Sequence, residues 1–185
     1  MIGQGFKALS VVASVAFATP ALAHEFTVAI VVPLSGPDAS IGQAALNGFR
    51  TATRERDGHA NETSEGHLGG VDVQMEPIDS ATGAAALIGA VKGLGAVVVY
   101  APDARVADTL TAGLSDAVVL GPDSVPAPPE DFAQRYTAEH GIAPTTAAES
   151  GYVAAQRIDL AVRAAGTAED PAALRAAFSA TKPPE

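Results

Sequence analysis

Apolar and polar positions along this 185-residue chain alternate between two rhythms. From Phe26 to Val32 the run FTVAIVV is apolar on both of its alternating faces, as in a strand buried in the middle of a parallel sheet. Ile41, Ala44, Ala45, Gly48, Phe49 and Ala52 then recur at helical spacing. They predict a helix over about 41–56, with Ser40 as N-cap and Gln43 three residues on, the capping-box arrangement. Residues 57–70, DGHANETSEGHLGG, are polar and glycine-rich and predict an exposed loop.

The rhythm then repeats. A strand is predicted over 71–78, followed by an alanine-rich helix over 82–92 with Leu87, Ile88 and Val91 on one face and Gly93 and Gly95 as its stop. Residues 96–100, AVVVY, read as a buried strand, 106–114 as a short helix and 117–120 as a fourth strand. This alternation predicts an α/β fold of three layers: a mainly parallel sheet of about four strands, right-handed crossovers and helices on both faces. The proline-rich stretch 126–129 ends the alternation, and the remainder reads as helical over 130–140, 146–165 and 171–180. Gly166 is the stop of the second of these helices, while Asp170 and Pro171 are the N-cap and first residue of the third.

The opening stretch stands apart. Lys7, the apolar run Ala8 to Ala18 and the small-residue sequence Pro20-Ala21-Leu22-Ala23 have the order of a secretory signal peptide cleaved after Ala23. The apolar run is too short to span a bilayer. The predicted organisation is a signal peptide (1–23) and a single α/β domain (24–185), made of βα repeats (24–125) and C-terminal helices (126–185). That domain is expected in the periplasm, without membrane insertion.

Composition narrows the chemistry. At 48% hydrophobic and 17% charged residues the chain can bury one core. Its net charge is −10, and cleavage would remove Lys7 but no acid. An acidic surface argues against nucleic acid or an anionic membrane as partner. Cysteine is absent, which removes disulfides, thiolate nucleophiles and cysteine-ligated metals. Six Phe, three Tyr and no Trp leave little for stacking on sugars or bases. No G-x-S-x-G, H-E-x-x-H, Walker loop or post-strand G-x-G-x-x-G occurs. The expectation is therefore a binding domain, not an enzyme, with no cofactor.

Open parallel sheets bind ligands beyond the carboxyl ends of their strands, which singles out specific residues. Leu34, Ser35, Asp38 and Ser40 follow the first strand; Asp79, with Ser80, follows the second; Pro102 and Asp103 follow the third; Asp123 and Ser124 follow the fourth. Free amides at a helix N-terminus suit a carboxylate, yet Ser and Asp at these positions serve equally as caps and turn residues. His59 and His67 share a loop with Asp57, Glu62 and Glu65, but the spacing is irregular and no metal site is predicted. His24 would become the N-terminus after cleavage, where its amine and imidazole could chelate copper only with a second ordered histidine. His140 is placed at a helix end, where a cation is favoured. Tyr152 is expected to pack its helix on the sheet.

The segment VAIVVPLSGPDASIGQAALNGFRTA at Val28 to Ala52 is similar to the opening strand, P-L-S-G loop and first helix of the branched-chain amino acid or amide substrate-binding proteins of ABC transporters, which have the type 1 periplasmic-binding fold. A second resemblance lies in DFAQRYTAEHGIAP at Asp131 to Pro144 and AAESGYVAAQRIDLAVRAAG at Ala147 to Gly166, which look like that family's C-terminal helices. The family resemblance implies two α/β lobes that close on a ligand, but both matching blocks belong to the first lobe and only a short segment between Tyr100 and Pro129 separates them. It therefore implies a single-lobe relative that binds an amino acid, amide or similar small polar solute weakly, with an ABC permease or another protein as partner. In the family, hydroxyls and backbone amides after the third strand hold the ligand's carboxylate. Here that position reads Asp103, which implies an amine or cation facing it, or a site no longer in use. The alternative function is a periplasmic accessory protein whose exposed lobe face pairs with another chain.

Overall fold

The computed structural model describes residues 25–56, 65–122 and 127–181. The signal peptide, His24, Asp57, His59, Glu62, Asp123 and Ser124 lie outside the described residues.

Strand β1 (Glu25–Val32) is the centre of the sheet. Its alternation feeds two cores: Phe26, Val28, Ile30 and Val32 face one, Ala29 and Val31 the other. It pairs in parallel with β3 (Val71–Asp79) on one side, Val28 opposite Met75, and with β4 (Val98–Tyr100) on the other, Val28 opposite Val98. β5 (Val118–Leu120) continues the sheet parallel to β4. The four predicted strands are all present, and the fold class is as expected: a mainly parallel sheet with helices on both faces.

A fifth strand was not foreseen. β2 (His67–Leu68) pairs antiparallel with β3 at the sheet edge, giving the order β2-β3-β1-β4-β5. The predicted loop 57–70 therefore ends in sheet: Leu68 is fully buried and His67 Nε2 lies 2.9 Å from the Asp72 carboxylate. One large apolar residue in a polar, glycine-rich run gives no periodicity, so only its burial in the core identifies the strand.

Helices α1 (Ala39–Arg54), α4 (Phe132–His140), α5 (Thr146–Ala165) and α6 (Pro171–Ala180) pack around the core that contains Phe49, Tyr152, Ile158 and Leu174. Helices α2 (Ala84–Leu94) and α3 (Ala104–Gly113) enclose the smaller core of Leu87, Val91 and Leu110. α5 and α6 have the predicted boundaries. Thr145 and Asp170 cap their amino ends through their side chains, and Gly166 closes α5 in the left-handed conformation (φ +67°), because glycine alone adopts it without Cβ cost.

α1 departs from expectation. It starts two residues early, with Asp38 at the N-cap position and Ser40 inside the first turn, so the Ser40 capping box does not form. The cause lies upstream: Gly36 turns with φ +73° and its carbonyl accepts from Ala39 N, after which the Asp38 carbonyl accepts from Ile41 N and Gly42 N.

α1 and α5 approach through small residues. A Cβ at Gly48 would lie 1.9 Å from the Ala148 carbonyl oxygen, and one at Gly151 2.0 Å from that of Ala45. Polar side chains fasten the same layer. Asp159, almost fully buried on α5, accepts from Gly69 N (2.8 Å) and pairs with Arg56 (3.0 Å) and Arg163 (3.1 Å). Burial alone would raise its carboxyl, but the bonds from Arg163, Gly69 and Arg56 outweigh that and hold it below the ordinary value of 3.8. Tyr152 is buried as expected, its ring 4.4 Å from that of Phe132. Its hydroxyl donates to Glu55 (2.7 Å) and accepts from Arg135 (2.8 Å); burial, then the Glu55 contact, push it up to about 12. His140 ends α4 against Tyr136 and Thr51.

Candidate functional site

The strand order creates a crevice. From β1 the chain crosses to β3 on one side and then to β4 on the other, so α1 and α3 leave the sheet toward opposite cores. This is the topological switch point of an open α/β sheet, where the loops after two adjacent strands part. A groove of about 510 Å³ lies there. Its apolar lining is Pro33, Ile41, Pro102 and Val106, and its polar lining is Asp38, Ser80, Asp103 and Arg105.

Each wall has a local cause. Pro33 follows β1, and the helix beyond it presses against it: a Cβ at Gly42 would lie 1.8 Å from the Pro33 carbonyl oxygen. The loop between them is braced from β3. Asp79 accepts from Leu34 N (3.0 Å) and Ala81 N (3.1 Å), while Ser80 N donates to the Val32 carbonyl (2.9 Å). The Ser35 hydroxyl, then the Leu34 and Ala81 amides, hold the Asp79 carboxyl below its ordinary value. Across the groove Asp103 caps α3, accepting from Arg105 N (2.9 Å) and Val106 N (3.0 Å).

The predicted site residues thus separate. Asp38, Pro102 and Asp103 come together in the groove lining. Leu34, Ser35 and Asp79 form the brace behind it, and Ser40 lies exposed on the first turn of α1. Sequence reasoning missed Ile41, Val106 and above all Arg105. Ile41 is 52% exposed, a large apolar side chain left at the groove. Arg105 differs from the other described arginines in that its guanidinium meets neither a side chain nor a backbone carbonyl among the described residues. Its signal in sequence was a base two residues after a strand-end Asp-cap, which is too common to single out.

The lining pairs two carboxylates and one guanidinium with four apolar residues, and two helix amino termini flank it. Such a surface suits a compact solute with charged groups and an apolar body. Among the described residues no group of three His, Asp, Glu or Cys is placed to hold a metal ion, and no helix is long and apolar enough to cross a membrane.

No protein-family model matches the chain, and neither does any curated protein. Solved structures do match. A solute-binding protein of an ABC transporter from R. palustris, solved in complex with benzoate, superposes with a TM-score of 0.60 over 85% of this chain and 86% of its own, at 12% identity. An ABC transporter substrate-binding protein from Sphaerobacter thermophilus gives a TM-score of 0.54 over 85% and 86%, at 15% identity. The chain therefore has the fold of the type 1 solute-binding proteins of ABC transporters.

Proposed function

We propose that this domain is an exported solute-binding component of an ABC transporter, which takes an amino acid, an amide or a similar small polar solute at the switch-point groove and presents it to a permease. The observation that carries the reading is the groove itself, placed between the ends of β1 and β4 and lined by Asp38, Asp103 and Arg105 around Ile41 and Val106. A solute with an ammonium toward the two carboxylates and a carboxylate toward Arg105 satisfies every charge there. Asp103 caps its own helix through one oxygen, which leaves the other for the ligand.

Small-molecule sites normally enclose 70–90% or more of a ligand, whereas a single strand edge offers one wall. Binding by one lobe is therefore weak, with a Kd of about 1 mM, or roughly 4 kcal/mol. Calorimetric titration with amino acids, their amides and aromatic carboxylates tests this. Saturable heats at high solute concentration, reduced in Arg105→Gln, support the reading. Absence of heat across the panel rejects it, and micromolar binding by the monomer rejects the one-wall site.

A further inference from the structure

We propose that in the solute-free protein the groove face is a self-pairing surface: a second copy of this chain docks on it about a two-fold axis, its charges standing in for those of a solute. This inference rests on the geometry and charge of the face and not on the identity of the solute.

Three observations converge. The first is Arg105, exposed at the groove and engaged by no side chain among the described residues, although the other described arginines all find partners. The second is Asp38, exposed at the same groove in an N-cap position, yet making no side-chain cap bond. An acid and a base thus stand on one face without meeting each other. The third is Ile41, 52% exposed between them in sequence and lining the same groove with Pro33, Pro102 and Val106. An isologous contact brings residue i of one copy to residue j of the other twice over. With Asp38 as i and Arg105 as j, the face is complementary to itself: two ion pairs flank a small apolar centre.

An anionic partner would meet Asp38 and Asp103, and a cationic one would meet Arg105. A second copy satisfies both signs with one geometry. Complementary charges fix register and partner choice more than they add affinity, so the contact is a specific, exchanging dimer.

Sedimentation velocity of the solute-free protein at rising concentration reads the association. The expected result is a monomer–dimer equilibrium, with the dimer weakened at least about tenfold, or 1.4 kcal/mol, in both Arg105→Asp and Asp38→Arg. The double variant carrying both changes restores it, because the swapped charges again face each other. An equimolar mixture of the two single variants also associates, as a heterodimer. Circular dichroism and thermal melts establish that each variant is folded, which the exposure of both residues favours. A protein that stays monomeric at every concentration overturns the proposal, as does a dimer indifferent to the single variants or not restored by the double one. Because no solute is present, failure here is separate from failure of the solute-binding reading.

Discussion

On one face of the sheet α1 and α5 meet backbone to backbone at Gly48 and Gly151, and Asp159 gathers Arg56, Arg163 and the Gly69 amide behind them. On the other face α2 and α3 meet where a Cβ at Gly113 would encounter the Ile88 side chain and no backbone, its Cδ1 at 2.3 Å and its Cγ1 at 2.8 Å, and Gly89 and Gly93 face open space. The first arrangement has no slack, since a carbonyl cannot move without shifting a helix, while a side chain can change rotamer. The groove lies where the two faces part: α1 contributes Asp38 and Ile41 from the rigid layer, and α3 contributes Asp103 and Arg105 from the compliant one. Adjustment to a ligand or a second copy is therefore expected on the α3 side.

The sharpest test of this contrast is steric. Gly151→Val drives side-chain carbons into the Ala45 carbonyl and should cost about 3 kcal/mol or more, the upper end of overpacking effects, read from the urea midpoint. A loss no larger than that of a surface substitution would remove the distinction between the faces. Next is Asp159→Asn, which takes a buried charge-assisted acceptor from Gly69 and two arginines and should cost about 2 kcal/mol at neutral pH.

This second effect has a pH signature. The Asp159 carboxyl is held below 3.8 in the folded chain, so its stabilisation is complete above that value and is lost as pH falls through the lowered folded value. The gap between wild type and Asp159→Asn should hold from neutral pH to about pH 5 and close only at more acid pH in thermal melts. A gap that instead narrows as pH rises would refute the assignment.

Smaller effects separate the two groove carboxylates. Asp103→Ala removes two cap bonds on α3 and should cost about 1 kcal/mol, whereas Asp38→Ala removes no cap bond and should change stability by only a few tenths of a kcal/mol. Equal losses would mean that Asp38 also caps α1 and is not reserved for a ligand or partner. Smallest and opposite in sign, Gly89→Ala on the outer face of α2 meets nothing within 4 Å and should stabilise by about 0.5 kcal/mol. Destabilisation there would show that the α2 surface is covered in solution.

Features with local causes were legible in the chain. β1 announced itself by apolarity on both faces, and α5 and α6 by Gly166, Asp170 and Pro171, whose conformational preferences act over a few residues. The placement of Asp38, Pro102 and Asp103 at one edge also followed from the rhythm, because successive parallel strands end on the same side. The cap of α1 did not: Ser40 and Asp38 are both good cap residues, and the turn at Gly36 decided between them.

By itself, then, the sequence determined the helices and every described strand but β2, that the sheet is mainly parallel with helices on both faces, and which strand ends could carry a site. Tertiary structure alone decided that β1 lies between β3 and β4, and so where the crevice opens. It turned Asp79 into the brace of Leu34, 45 residues away, and Asp159 into the anchor of Gly69, 90 residues away. It also placed Arg105, which has no side-chain partner among the described residues, in the same groove lining as Asp38. The reason is physical: backbone preferences and caps act over one or two turns, whereas the partner of a charged or polar group is whichever group the packed chain brings within about 3 Å.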